Sequence, residues 1–134
     1  MAKCGEIFIE YLKSHGYEYR DYKTDGGETV VTVPVERHTA KCIFHGSEEQ
    51  YLSLFITLGS IHEECFTEAA VACNDINASY NWATFFVDRD MDVMIHDDAI
   101  LCEETAALEA AELIIRLTNI ANEATPSLEK FLIK

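Results

Sequence analysis

Five cysteines, five histidines and 24 acidic residues are the reactive groups of this 134-residue chain. Their spacing decides what chemistry they can perform. The only compact set of potential metal ligands is His62-Glu63-Glu64-Cys65. It misses the HExxH pattern, because Phe66 stands where a helix would present the second histidine. A small metal-binding protein or enzyme built on His62 and Cys65 would need further ligands from distant positions such as His45 or His96. A loop running into a helix, with its acids beside the positive helix N-terminus, explains the same residues. Asp88-Arg89-Asp90-Met91-Asp92 alternates carboxylates as a calcium loop does. Such a loop next requires glycine at position six and glutamate at position twelve, and Val93 and Ala99 stand there. A solvated hairpin tip fits that stretch better.

Nucleophilic catalysis finds no footing. The chain has no GxSxG, no glycine-rich phosphate loop and no GxGxxG. Cys4, Cys42, Cys65, Cys73 and Cys102 are odd in number and contain no CxxC, which predicts reduced, mostly buried thiols. Asn77-Ala78-Ser79 matches a glycosylation sequon but falls on a predicted helix. The expectation is therefore no catalytic, cofactor-binding or metal-ligating residue.

Charge narrows the partners. The net charge is −14, and Glu63–Glu112 holds 13 of the acids against one base, Arg89. Such a surface repels phosphate backbones and anionic lipid, so neither nucleic acid nor membrane is expected to bind. It either keeps the chain soluble or docks a basic protein, as an acidic mimic of nucleic acid would. Lys13, Arg20, Lys23, Arg37 and Lys41 are scattered among acids and form no basic stripe. No apolar run approaches the ~18 residues of a membrane helix. Met1–Glu6 lacks an apolar signal core, so a cytoplasmic location is expected.

The elements that must position these groups follow from periodicity. A single domain over 1–134 fits the length. Ile7, Phe8, Tyr11 and Leu12 mark a helix over Lys3–His15, ended by Gly16. Four extended runs follow: Tyr17–Lys23, Thr29–Glu36, Ala40–His45 and Tyr51–Leu58, with turns at Asp25-Gly26-Gly27 and Gly46-Ser47-Glu48-Glu49. Pro34 lacks an N–H, which predicts an edge or a bulge at that point. A second helix over Phe66–Tyr80 carries Phe66, Ala69, Ala70, Cys73, Ile76 and Tyr80 on one stripe. The hairpin Trp82–Val87 and Asp92–His96 comes next. A long helix over Glu103–Asn122 follows and is interrupted by Pro126. The order α-β-β-β-β-α-β-β-α predicts an α+β fold, an antiparallel sheet of β hairpins with helices packed on one face.

The stretch from Ala72 to Asp88, ACNDINASYNWATFFVD, resembles the YbjN-like family, labelled as bacterial sensory-transduction regulators. A helix with two asparagines three apart, Asn74 and Asn77, there runs into an aromatic strand and an acidic turn. Asp25-Gly26-Gly27, the strand Tyr51–Leu58 and the acidic start of the final helix suit the same family. Cys73 departs from its usual larger aliphatic, and Cys102-Glu103-Glu104 replaces a glycine-containing approach to the last helix. The resemblance implies a fold similar to type III secretion chaperones, no enzymatic activity, no cofactor and a homodimer that binds another protein. In chaperones of that fold the second helix and neighbouring strands build the dimer face. The corresponding residues are Phe66, Ala70, Ile76 and Trp82. The amides of Asn74 and Asn77, set beside the apolar stripe, are expected to bond strand or loop backbone.

Overall fold

The computed structural model describes residues 2–134 and forms one α+β layer pair. Helix α1 spans Cys4–Ser14, strands β1 to β4 span Arg20–Lys23, Thr29–Val35, His38–His45 and Tyr51–Ser60, and α2 spans Phe66–Asn77 after a 3-10 turn at Glu63–Cys65. Strands β5 (Thr84–Val87) and β6 (Asp92–Ile100) follow, then α3 (Ala106–Leu128). The six strands pair antiparallel throughout, in the order β1-β2-β3-β4-β6-β5. The expected fold class, element order and hairpins are all present.

The core lies between the sheet and the helices. Alternate residues of the central strands point into it, among them Cys42 and Phe44 of β3, Leu52, Leu54 and Ile56 of β4, and Val93 and Ile95 of β6. Phe8 and Leu12 of α1 and Leu113, Ile114, Leu117 and Ala121 of α3 close it from the helix side. Phe8 packs its ring 5.7 Å from that of Phe44. Each fully buried side chain of this size contributes roughly 1.5–3 kcal/mol, so these few contacts outweigh any surface feature.

Turn chemistry sets the frame. Gly16, at φ 72, ends α1, with its N–H on Lys13 and the Tyr17 N–H on the Leu12 carbonyl. This is the left-handed helix stop that glycine permits without strain. Arg20 pairs with Thr32, so β1 starts short of Pro34 and leaves that part of β2 without an outer neighbour. The missing N–H of Pro34 therefore costs no ladder bond.

Most boundaries move by one to three residues from the expectation, β1 starting at Arg20 instead of Tyr17 and β5 at Thr84 instead of Trp82, and three shifts have a physical reason. Strand β6 runs on to Ile100 because it pairs with β4 along its length, from Ser60↔Asp92 to Tyr51↔Ile100. Helix α2 stops at Asn77 rather than Tyr80, for a reason given below. Helix α3 starts at Ala106 and carries Pro126 inside it instead of breaking there. Proline removes one intrahelical bond and crowds the preceding turn. Continuing the helix keeps Ala124 and Leu128 buried and leads Phe131 under the core, and the Thr125 hydroxyl donates to the Ala121 carbonyl beside the interruption.

One buried acid packs between the first helix and the sheet. Glu49, 2% exposed, accepts a hydrogen bond from the Thr29 hydroxyl at 2.6 Å and faces Lys23 at 3.4 Å. Its other carboxylate oxygen lies 2.6 Å from where a Cβ on Gly5 would sit, and Thr29 would be 3.2 Å from the same point. Gly5 is thus required by close approach. Gly5→Ala is expected to lower unfolding free energy by about 1–3 kcal/mol, as overpacking does, read from urea denaturation; unchanged stability would show that Glu49 can swing aside.

Candidate protein-docking face

Helix α2 has one face on the sheet and one in solvent. Ala69 and Cys73 are buried, while Ala72 and Ile76 pack half-buried against the same core. The solvent side carries Thr67, Glu68, Asn74 and Asp75 and also two apolar side chains, Phe66 40% and Val71 56% exposed, beside half-buried Ala70. Phe66 and Ala70 are one helical turn apart and share a surface. Trp82, 74% exposed, lies past the other end of the helix, which is itself about 17 Å long. The four residues expected at a dimer face thus divide into a Phe66–Ala70 patch, a distant Trp82 and a core-facing Ile76.

Asn77 fixes where this face sits. Its side-chain N–H donates to the Phe85 carbonyl at 3.0 Å, and its side-chain oxygen accepts from the Phe85 N–H at 2.6 Å. The amide thereby acts as one more strand residue along β5, the edge of the sheet. It satisfies backbone groups that an edge strand would otherwise leave open to another chain. Helix α2 ends at this residue, and Ala78–Tyr80 forms a turn. Asn74, by contrast, is exposed and makes no such bond among the described residues. The Tyr80 hydroxyl donates to Glu123 on α3 at 2.6 Å, tying the same corner to the long helix; that bond, more than burial, pushes the phenol pKa up.

Trp82 leaves the strand expected for it. Its φ of 70 lies in the left-handed region, which swings the indole away from the sheet. There it forms the lip of a cleft of about 560 Å³ between α3 and the β5–β6 end of the sheet. In the cleft wall Arg116 pairs with Asp97 at 2.7 Å, and its guanidinium lies 5.2 Å from the indole centroid. Asp97 is 5% exposed and also accepts the Asp98 N–H at 2.8 Å. Asp98 bonds His96 at 2.8 Å, and Glu109 and Glu112 line the same cleft. Sequence reasoning passed over Asp97 and Arg116. The signal was present: Val93, Ile95 and Asp97 alternate on one face of β6, so an acid falls at an inward position and demands a partner.

The other sequence candidates remain apart. His62 is exposed, Cys65 is half-buried, and among the described residues no group of three or more His, Cys, Asp or Glu side chains could hold a metal ion. His45 faces Ser53, and His96 is committed to Asp98. The Asp88 carboxylate turns back onto the N–H groups of Asp90 and Asp92 at 2.9 and 3.0 Å, shaping the hairpin tip. All five cysteines are unpaired. Burial pushes the Cys42 thiol up to about 12 and raises Cys73; burial, then Cys102 and nearby acids, raises Cys4.

The family model for YbjN, described as "putative bacterial sensory transduction regulator", matches residues 6–129. No curated protein matches the sequence. The crystal structure of YbjN from E. coli superposes with a TM-score of 0.65 at 12% identity, covering 96% of this chain and 95% of that one. The Yersinia pestis type III secretion chaperone SycH, solved in complex with a stable fragment of YscM2, gives 0.60 at 13% identity, covering 91% and 99%. Both share the fold. No helix among the described residues is long and apolar enough to cross a membrane.

Two measurements check the geometry. Asn77→Ala leaves both backbone groups of Phe85 without their partner and should cost about 1–3 kcal/mol in chemical denaturation; a loss below 0.5 kcal/mol (on the order of a surface substitution) would show that water replaces the amide. At pH 8 a thiol reagent should modify exposed Cys102 and half-exposed Cys65 first. Cys4, Cys42 and Cys73 should wait for unfolding, since a raised pKa leaves little thiolate. Because the folded protein holds the Cys42 proton above its ordinary 9.0, stability should fall as pH rises from there toward 12. Five thiols reacting at one rate would contradict this.

Proposed function

The chain belongs to the YbjN family, and from that membership together with the uncovered face of α2 we propose that it is a non-enzymatic protein-binding module, chaperone-like or regulatory, that acts as a homodimer. The observation that carries this reading is the pair of large apolar side chains that α2 leaves in solvent, Phe66 and Val71, beside Ala70. A two-fold axis across that helix would set Phe66 of each copy against Ala70 of the other, the self-complementary arrangement a symmetric dimer requires. Trp82 would extend the face toward the partner protein, with Ile76 supporting it from beneath. SycH, of the same fold, was solved with a fragment of a second protein on it, which supports a binding role here. The five unpaired thiols support a reducing compartment, the cytoplasm.

Charge adds a constraint. Helix α2 bears Glu68 and Asp75 and no base, so two copies meeting there repel. Salt screens that repulsion. Light scattering is expected to give twice the 15.1 kDa chain mass, with dimerisation tighter at 0.5 M than at 0.05 M salt. The double variant Phe66→Glu, Val71→Glu should be monomeric with an unchanged far-ultraviolet circular dichroism spectrum. A strictly monomeric parent protein removes the dimer; a dimer that survives the double variant moves it to another face.

A further inference from the structure

We propose that the cleft beneath Trp82 receives an arginine side chain of a partner protein; this rests on the reading of the chain as a protein-binding module and names the chemistry of what it binds. The cleft already holds one guanidinium, its own. Arg116 lies 5.2 Å from the centroid of the Trp82 ring and 2.7 Å from the Asp97 carboxylate. An aromatic face plus a carboxylate is how a guanidinium is recognised, so the cleft demonstrates the chemistry in cis.

That internal pair leaves a surplus. Asp97 is matched by Arg116 and Asp98 by His96, while Glu109 and Glu112 face the same space without a basic partner. The wider segment Glu63–Glu112 offers only Arg89 against 13 acids. Nearby bases therefore do not neutralise the cleft, and an incoming cation does. Trp82 is 74% exposed, which leaves indole surface open beyond what Arg116 covers. A volume of about 560 Å³ falls within the ~300–1,000 Å³ of sites that hold a ligand group. Leu113 and Ala99 in the wall supply apolar surface for the methylene stem of the arginine. Nucleic acid and anionic lipid are repelled by the same carboxylates.

Trp82 is the only tryptophan, so its emission reports on the cleft directly. The probe is a blocked, fluorescein-labelled tetrapeptide alternating leucine and arginine, followed by anisotropy and, unlabelled, by Trp82 emission. Its control carries citrulline, the neutral isostere. The arginine peptide should bind saturably and shift Trp82 emission, with the citrulline peptide at least tenfold weaker. Glu109→Gln with Glu112→Gln should weaken binding fivefold or more. Glu6→Gln with Glu10→Gln on α1, an equal change in charge, should weaken it less than twofold. Equal binding of the two peptides, or equal weakening by the two double variants, overturns the proposal, since either would mean diffuse attraction or none. Light scattering on the same samples separates this from the dimer. A dimer that ignores the peptide defeats the cleft alone, whereas a monomer that binds it supports the cleft and defeats the dimer. Peptide affinity should fall with salt, opposite to dimerisation.

Discussion

Two hydrogen bonds from one side chain set the position of everything on the docking face. Asn77 joins α2 to the backbone of Phe85 in the edge strand β5, and a helix held there has no freedom to cover its own outer stripe. The amide matches a peptide group in size and polarity, so it can close a strand edge where a carboxylate, which only accepts, would meet one of the two groups. The helix stops at this residue, the chain turns, and Trp82 emerges with a backbone conformation that points the indole outward. Exposed Phe66, exposed Trp82 and the cleft below it follow from where that clamp places the corner.

The rest of the sheet supplies rigidity. Three helices share one face of six strands, and the longest of them packs on β4 and β6 at the centre. Because α3 is fixed by Leu117 and Ala121, which are fully buried, Arg116 is carried to a defined place beside them. Its pairing with Asp97 closes what would otherwise be a buried uncompensated carboxylate. The core and the cleft are therefore built from adjacent positions of the same helix. The concentrated acidity has two consequences of opposite sign: it opposes self-association through α2 and favours basic partners at the cleft.

Much of the fold was legible in the sequence because alternation and helical spacing record burial directly. Leu52, Leu54 and Ile56 in β4, and Leu113, Ile114 and Leu117 in α3, face where their spacing places them. The turn at Asp25-Gly26-Gly27 and the edge position of Pro34 follow from backbone chemistry. Long-range interactions stayed hidden. Nothing local to Pro126 reveals that burying Leu128 keeps the helix going, and nothing local to His96 reveals that β4 extends its partner to Ile100. The expected backbone role of the asparagines is realised at Asn77 and not at Asn74, since only the former reaches Phe85. The cleft was half visible: its acidity could be counted, but the meeting of Trp82, Asp97 and Arg116 depends on three separate elements.

A docking face on α2 is most directly examined by recording amide chemical shifts of the protein over a hundredfold range of concentration. Concentration-dependent shifts confined to Phe66–Asn74 on α2, with the Trp82 corner and the central strands still, are the predicted result. Shifts that do not change with concentration, or that fall instead on β1 or on the side of the sheet away from the helices, would contradict it.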